Sequence, residues 1–259
     1  VTRRGSICVV GTVRNAVEFI DRYVDSVPVA LRSRVRHVVA DGGSVDGTSE
    51  RLREHAAGMP HLVVLDSIEQ TMVQGLNRAV DAAPSTHVVV LNADDSFEPG
   101  GLEALVDVVE TSHPPGLVIG GLRVLDEHGA TFRIQRTRRM RVRDILLDRD
   151  YPWNPACMAY ARSIHEVAGR YDEREALFDL AFLLRIARTI RPVLIDRVVG
   201  CFNMQPDSLT VRRLRAGELD GMIADLFSRF EETLPWPTRV HLSVRRGIRS
   251  LRHRMRRRL

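Results

Sequence analysis

The chain has 259 residues, 44% hydrophobic and 27% charged, which suits one large α/β domain with or without a small appendage. No apolar run approaches the roughly 18 residues that span a bilayer, and no signal-peptide pattern is read, so a cytoplasmic protein is expected. The net charge of +5 is an uneven average: residues 239–259 hold nine arginines and no acid, leaving 29 basic against 33 acidic residues before them. An acidic body, with no aromatic platform beside the arginines, speaks against a nucleic-acid partner.

Ser6 to Thr12 reads as a first buried strand, and Asn15 is expected to open a helix with Val17, Ile20, Val24 and Val27 inward, ended by Pro28. Val35 to Ala40 is a second strand. It runs into Asp41-Gly42-Gly43-Ser44-Val45-Asp46-Gly47-Thr48, whose glycines permit positive φ and let a ligand approach the backbone closely. A helix from Thr48 to Ala57, a strand from His61 to Leu65 and a helix from Met72 to Ala82 follow. Val88 to Leu91 is a continuous apolar run, as in a strand buried on both faces, and Gly101 to Glu110 is the next helix. Four strand–helix units in succession predict an α/β fold: a mostly parallel sheet with helices on both faces.

The fourth strand stops in Asn92-Ala93-Asp94-Asp95. Adjacent carboxylates at the carboxyl end of a buried strand lie where open α/β sheets place their ligands. Paired carboxylates there suit a magnesium-type ion, which takes oxygen ligands and keeps part of its shell for phosphates. The same residues also suit a plain polar turn, as do Asp41 and Asp46.

Beyond Gly116 the pattern changes. Leu117 to Leu125 and Thr131 to Gln135 flank a hairpin turn at Asp126–Gly129, and Met140 to Asp148 reads as a short helix. Tyr151 to Pro155 forms a rigid loop, in which Trp153 suits either stacking on a ligand or packing. A strand near Cys157–Tyr160 and a helix from Ser163 to Ala168 come next. Leu180, Leu183, Leu184 and Ala187 mark another helix, with Asp179 at its expected N-cap, and Val193 to Phe202 is the last strand. Cys8, Cys157 and Cys201 have no zinc-ligand spacing and are expected as reduced packing residues.

Leu214 to Phe230 is expected as one helix, and Pro235-Trp236-Pro237 interrupts the chain after it. Val244, Ile248, Leu251 and Met255 then form a narrow helical stripe among arginines. Such a helix suits an anionic membrane surface, or else docking on the protein's own acidic body. The expected division is an α/β domain over residues 1–210 and a helical, arginine-rich extension over 211–259.

At Asp41 to Thr48 the chain resembles the inverting family-2 glycosyltransferases of GT-A fold. A first strand ending in Thr12 and Asn15, the Asn77-Arg78 helix, Asn92 to Asp95, Arg162-Ser163, Gly169 to Glu173 and Asp179 to Arg185 carry the likeness onward. It covers roughly residues 6–205. The resemblance implies a nucleotide-diphosphate sugar donor held by Thr12, Asn15, Asp41, Gly43, Asn77 and Asp94. It implies Mg²⁺ or Mn²⁺ on Asp94 and Asp95, and Asp179 as the base. A glycan or glycolipid acceptor, from lipid-linked or cell-envelope intermediates, is the implied second substrate, with the enzyme at the inner face of the plasma membrane. Residues 68–75 depart from the family pattern, losing an acid and a glycine. A catalytically silent relative serving as a nucleotide-sugar-binding or scaffold protein is the alternative.

Overall fold

The computed structural model describes residues 6–111, 113–137, 140–147, 151 and 153–243. Runs of valine, isoleucine and leucine build β1 (Ile7–Val13), β2 (Arg36–Asp41), β3 (Leu62–Leu65) and β4 (His87–Val90), which pair in parallel in the order β3-β2-β1-β4. The sheet continues through β8 (Met158–Ala161), β6 (Leu117–Leu125) and β9 (Val193–Asn203) to the two-residue β5 (Ser96–Phe97). β8 is antiparallel to β4, and β7 (Thr131–Gln135) forms the expected hairpin with β6. The result is a mixed, mostly parallel sheet, as the alternation of strands and helices predicts.

Side-chain alternation along the strands divides the core in two. On one face Cys8, Val10, Val88 and Val90 meet α3 (Met72–Ala82) and α7 (Phe178–Thr189). On the other, Ile7, Val9, Val89 and Leu91 meet α1 (Ile20–Asp25), α2 (Thr48–Gly58) and α4 (Gly101–Val109). The short helices α5 (Val142–Leu146) and α6 (Ile164–Ala168) join the first face. All three cysteines are buried and unpaired, as expected of packing residues. From β1 the chain steps outward to β2 and β3, then crosses back through α3 to β4 on the other side of β1. A crevice therefore opens between the carboxyl ends of β1 and β4.

Three local expectations are corrected. Asn15 opens no helix: its φ of 49° is left-handed, a 3₁₀ turn covers Val17–Phe19, and α1 begins at Ile20. Asn15 is committed instead to the glycine turn, donating its N–H to Ser44 Oγ (2.9 Å) and accepting from Val45 N at Oδ1 (3.0 Å). Asp179 is not an N-cap, because α7 starts at Phe178 and Leu177 takes the cap position. The helix expected over Leu214–Phe230 is two, α8 (Leu209–Arg215) and α9 (Leu219–Glu232), broken where Gly217 takes φ 70°.

Residue 210, the expected domain boundary, lies inside α8. Leu226 and Phe227 of α9 join the first core face, as does Leu242 in a helical stretch over 236–243 that follows Pro235. The stripe from Val244 to Met255 and Asp148 lie outside the described residues. No helix among the described residues is long and apolar enough to cross a membrane.

Candidate active site

A cavity of about 500 Å³ opens at the crevice. Thr12 and Asn15 line it from the end of β1, Asn92 and Asp94 from the end of β4, and Asp179 from the start of α7. Met72 and Leu76 of α3 add an apolar side, and the segment from Gln205 to Arg213 adds another wall. The structure thus gathers Thr12, Asn15, Asp94 and Asp179. Asp41, Gly43, Asn77 and Asp95 stand outside the lining.

Asp41 anchors the turn. Its fully buried carboxylate accepts from Ser44 N (3.2 Å) and Ser44 Oγ (2.6 Å) at one oxygen, and from Ser49 and Ser67 hydroxyls at the other. Burial works to raise its pKa, but these hydroxyls and the amide hold it below the ordinary value. Its oxygens are taken up by protein donors, and it stands outside the cavity lining. Gly43 has φ 75°, and a Cβ there would meet the Glu69 backbone at 3.1 Å. That glycine serves the turn and the neighbouring loop.

The altered 68–75 segment is well tied. Gln70 donates to the Asp41 carbonyl (3.1 Å) and accepts from Arg78 (2.8 Å), and Thr71 with Gln74 forms a capping box on α3. Asn77 donates from its side-chain amide to Tyr171 O (2.9 Å) and accepts from Tyr171 N (3.2 Å). It clips α3 to the loop before α7.

The two acids after β4 part company. Asp95 is fully buried, taking Asn92 Nδ2 (3.0 Å) and Asn154 Nδ2 (2.9 Å) on one oxygen and Asn203 N (3.2 Å) on the other. Burial and the charge of Asp94 push its pKa to about 7. Asp94 is partly buried, faces the cavity and is raised by burial. Its backbone carbonyl is fixed by Arg22 (3.0 Å) and Asn203 (2.6 Å). Of the two neighbouring carboxylates, Asp94 faces the cavity and Asp95 is buried behind it.

Asp179 accepts from Leu180 N at 2.8 Å. Below it lie Tyr171, Phe178 and Phe182, with Tyr171 4.5 Å from Phe182 and 5.8 Å from Phe178 between ring centroids. Burial raises its pKa, and the charge of Arg213 draws it partly back. Trp153 stands outside the cavity lining and packs edge-to-face on Phe202 at 4.8 Å, the packing role.

Sequence reasoning missed Asn154, Asn203 and Arg213. Asn154 precedes β8 and Asn203 ends β9, and neither carries a local motif. Arg213 follows the turn Pro206-Asp207-Ser208, whose Ser208 caps α8 by accepting from Val211 N (3.3 Å), and that turn was the one readable sign of a helix there.

Residues 8–167 match the family model described as glycosyl transferase family 2. No curated protein matches significantly. The mannosyltransferase PcManGT from Pyrobaculum calidifontis, solved with GDP-Man and Mn²⁺, is 19% identical, covering 95% of this chain and 76% of its own, with a TM-score of 0.62. S. aureus TarS 1-349, solved with UDP-GlcNAc, is 14% identical, covering 92% of this chain and 79% of its own, with a TM-score of 0.61. At these identities the likeness is one of fold, the GT-A fold.

Proposed function

The chain belongs to glycosyl transferase family 2 and is a glycosyltransferase; from that premise we propose an inverting, metal-dependent transfer of a sugar from a nucleotide-diphosphate sugar to a hydroxyl acceptor. The observation that carries this is the convergence of Asp94 and Asp179, from a strand end and a distant helix, on one cavity at the sheet's switch point. The solved neighbours bound to UDP-GlcNAc and GDP-Man support the donor class.

The acids fit a cation shared with substrate. No group of three His, Cys, Asp or Glu side chains converges among the described residues, so no all-protein cage is built. Mg²⁺ or Mn²⁺ needs only one or two carboxylates when a diphosphate and water complete its shell. Glu18, Asp94, Asp179 and Asp207 line the cavity against Arg14 and Arg213, so a diphosphate enters an acidic site and calls for a counter-cation. When bound on Asp94, the ion supplies neutralisation of the charge that grows on the departing diphosphate. Asp95, held by three amide donors, fixes the backbone that presents Asp94.

Thr12 and Asn15 bind the donor from the end of β1. Asp179 takes the proton of the acceptor hydroxyl as that oxygen attacks the anomeric carbon in line, and the nucleoside diphosphate leaves from the opposite face, inverting the configuration. A carboxylate raised by burial is a better base than a solvated one. The acceptor is placed among lipid-linked or cell-envelope glycan intermediates, and the arginine-rich terminus supports this by suiting an anionic membrane face.

Thermal unfolding with a panel of nucleotide sugars, with and without Mn²⁺, tests the proposal. A bound donor at a hundred times its dissociation constant stabilises the fold by about 2.7 kcal/mol. Stabilisation that requires Mn²⁺ is expected; none from any nucleotide sugar overturns the reading.

A further inference from the structure

α8 lies beyond the region matched by the family model, and it brings Arg213 into the cavity wall. The guanidinium is half-buried and gives one N–H to the carbonyl of Ala176 at 3.0 Å. Among the described residues no carboxylate pairs with it, whereas Arg14, the other arginine of the cavity, is paired with Glu69 at 3.6 Å. Ala176 leads into α7, so Arg213 stands on the same lip as Asp179. Ser208, Thr210 and Gln205 line the adjoining wall and can donate to anionic oxygens.

A guanidinium presents a planar fork of donors that matches phosphate oxygens, and an anion can complete it. A cation held on Asp94 would supply the counter-charge of the donor's diphosphate at the ends of the central strands. The acceptor must bring its hydroxyl to Asp179. Resting on the glycosyl-transfer reading above, we infer that Arg213 binds a phosphate group carried by the acceptor close to the attacked hydroxyl, and so selects phosphorylated acceptors over neutral ones. The residue determines specificity from a segment outside the matched family region, where acceptor preference can vary while the donor machinery stays fixed.

The full chain, R213Q and R213K are compared. Glutamine keeps a donor for the Ala176 carbonyl, so the lip is retained. Calorimetric donor titrations with Mn²⁺ should agree within about twofold across the three proteins, as for a charge remote from the diphosphate. Transfer to a hexose 6-phosphate should exceed transfer to the matching methyl hexoside by about tenfold or more in kcat/KM, with the ratio near one in R213Q and intermediate in R213K. Inorganic phosphate, added to each donor-loaded protein, should raise the unfolding temperature of the unsubstituted chain above the shift seen in R213Q. The arginines of the terminus are common to both, so their contribution cancels.

Equal phosphate shifts, or equal use of the two acceptors, overturn the inference. Donor affinity about tenfold weaker in R213Q also overturns it, because the guanidinium then serves the diphosphate. Absence of donor binding in the unsubstituted chain overturns the transfer reading itself, a result the titration reads separately.

Discussion

Gly75 marks the closest approach of α3 to β1, and it sits directly over Thr12 in the cavity. A Cβ at Gly75 would lie 2.3 Å from Thr12 Oγ1, 3.0 Å from Thr12 Cβ and 3.1 Å from Gln70 Nε2. The first contact is far inside van der Waals range, so Gly75→Ala must push the helix off the strand or turn Thr12 out of its rotamer. Overpacking of this kind costs about 1–3 kcal/mol, while alanine returns about 1 kcal/mol of helix propensity. The expected net loss is about 0–2 kcal/mol. In a Thr12→Ala background the 2.3 Å contact vanishes, so the same substitution should be near neutral. The two changes should therefore couple favourably by about 1 kcal/mol or more. Urea unfolding of the four proteins measures the coupling, and donor titration of Gly75→Ala should show weaker binding as Thr12 shifts. Additive stabilities, or a stabilised Gly75→Ala, would refute the close packing of α3 on the donor wall.

Asp179→Asn keeps the size of the side chain and cannot take a proton, so turnover should fall by roughly a hundredfold or more with donor affinity nearly unchanged; near-normal rates would remove it as the base. Asp94→Asn should abolish Mn²⁺-dependent donor binding at little cost in stability, whereas Asp95→Ala strands three buried donors and should cost about 2–4 kcal/mol in urea unfolding. Burial holds the imidazole of His37 at about 3 against an ordinary 6.5, with neither ring nitrogen hydrogen-bonded. A depressed histidine contributes stability above its unfolded pKa and loses it as pH falls from 6.5 toward 3, at most about 5 kcal/mol. His37→Phe should flatten the fall in urea midpoint between neutral and acid pH, and parallel pH profiles would exclude His37 as its source. Removing residues 244–259 should reduce sedimentation with anionic liposomes and leave neutral ones unaffected; equal binding of the two chains counts against the membrane role.

The sheet was legible because its strands are continuous apolar runs cut off sharply by glycine, asparagine and aspartate. α3 was read to the residue, since Met72, Leu76, Ala79 and Val80 keep one helical face and Thr71 caps it with Gln74. Helix starts near the cavity were not legible. Asn15 and Asp179 have the composition of helix openers, yet the glycine turn takes Asn15, and α7 begins one residue before Asp179. The break at Gly217 was overlooked because apolar residues on either side, Leu214 and Leu219, continue a helical rhythm that a single left-handed glycine interrupts.

Which residues gather at a strand end can be read from motifs, but which way each one faces depends on partners far along the chain. Asp94 and Asp95 are chemically identical neighbours. Asn154, before β8, and Asn203, at the end of β9, pull the second inward and leave the first to the cavity. The same competition takes Asp41 and Asn77 out of the lining, because three serines and the Tyr171 backbone satisfy them. Those residues still shape the site, since a carboxylate saturated by protein groups is rigid, and rigid supports keep Thr12, Asp94 and Asp179 in register. A motif can thus be intact while its members divide between touching the substrate and holding those that do. The division here leaves two carboxylates facing the cavity from the predicted set, Asp94 and Asp179, the residues we propose for the cation and the proton.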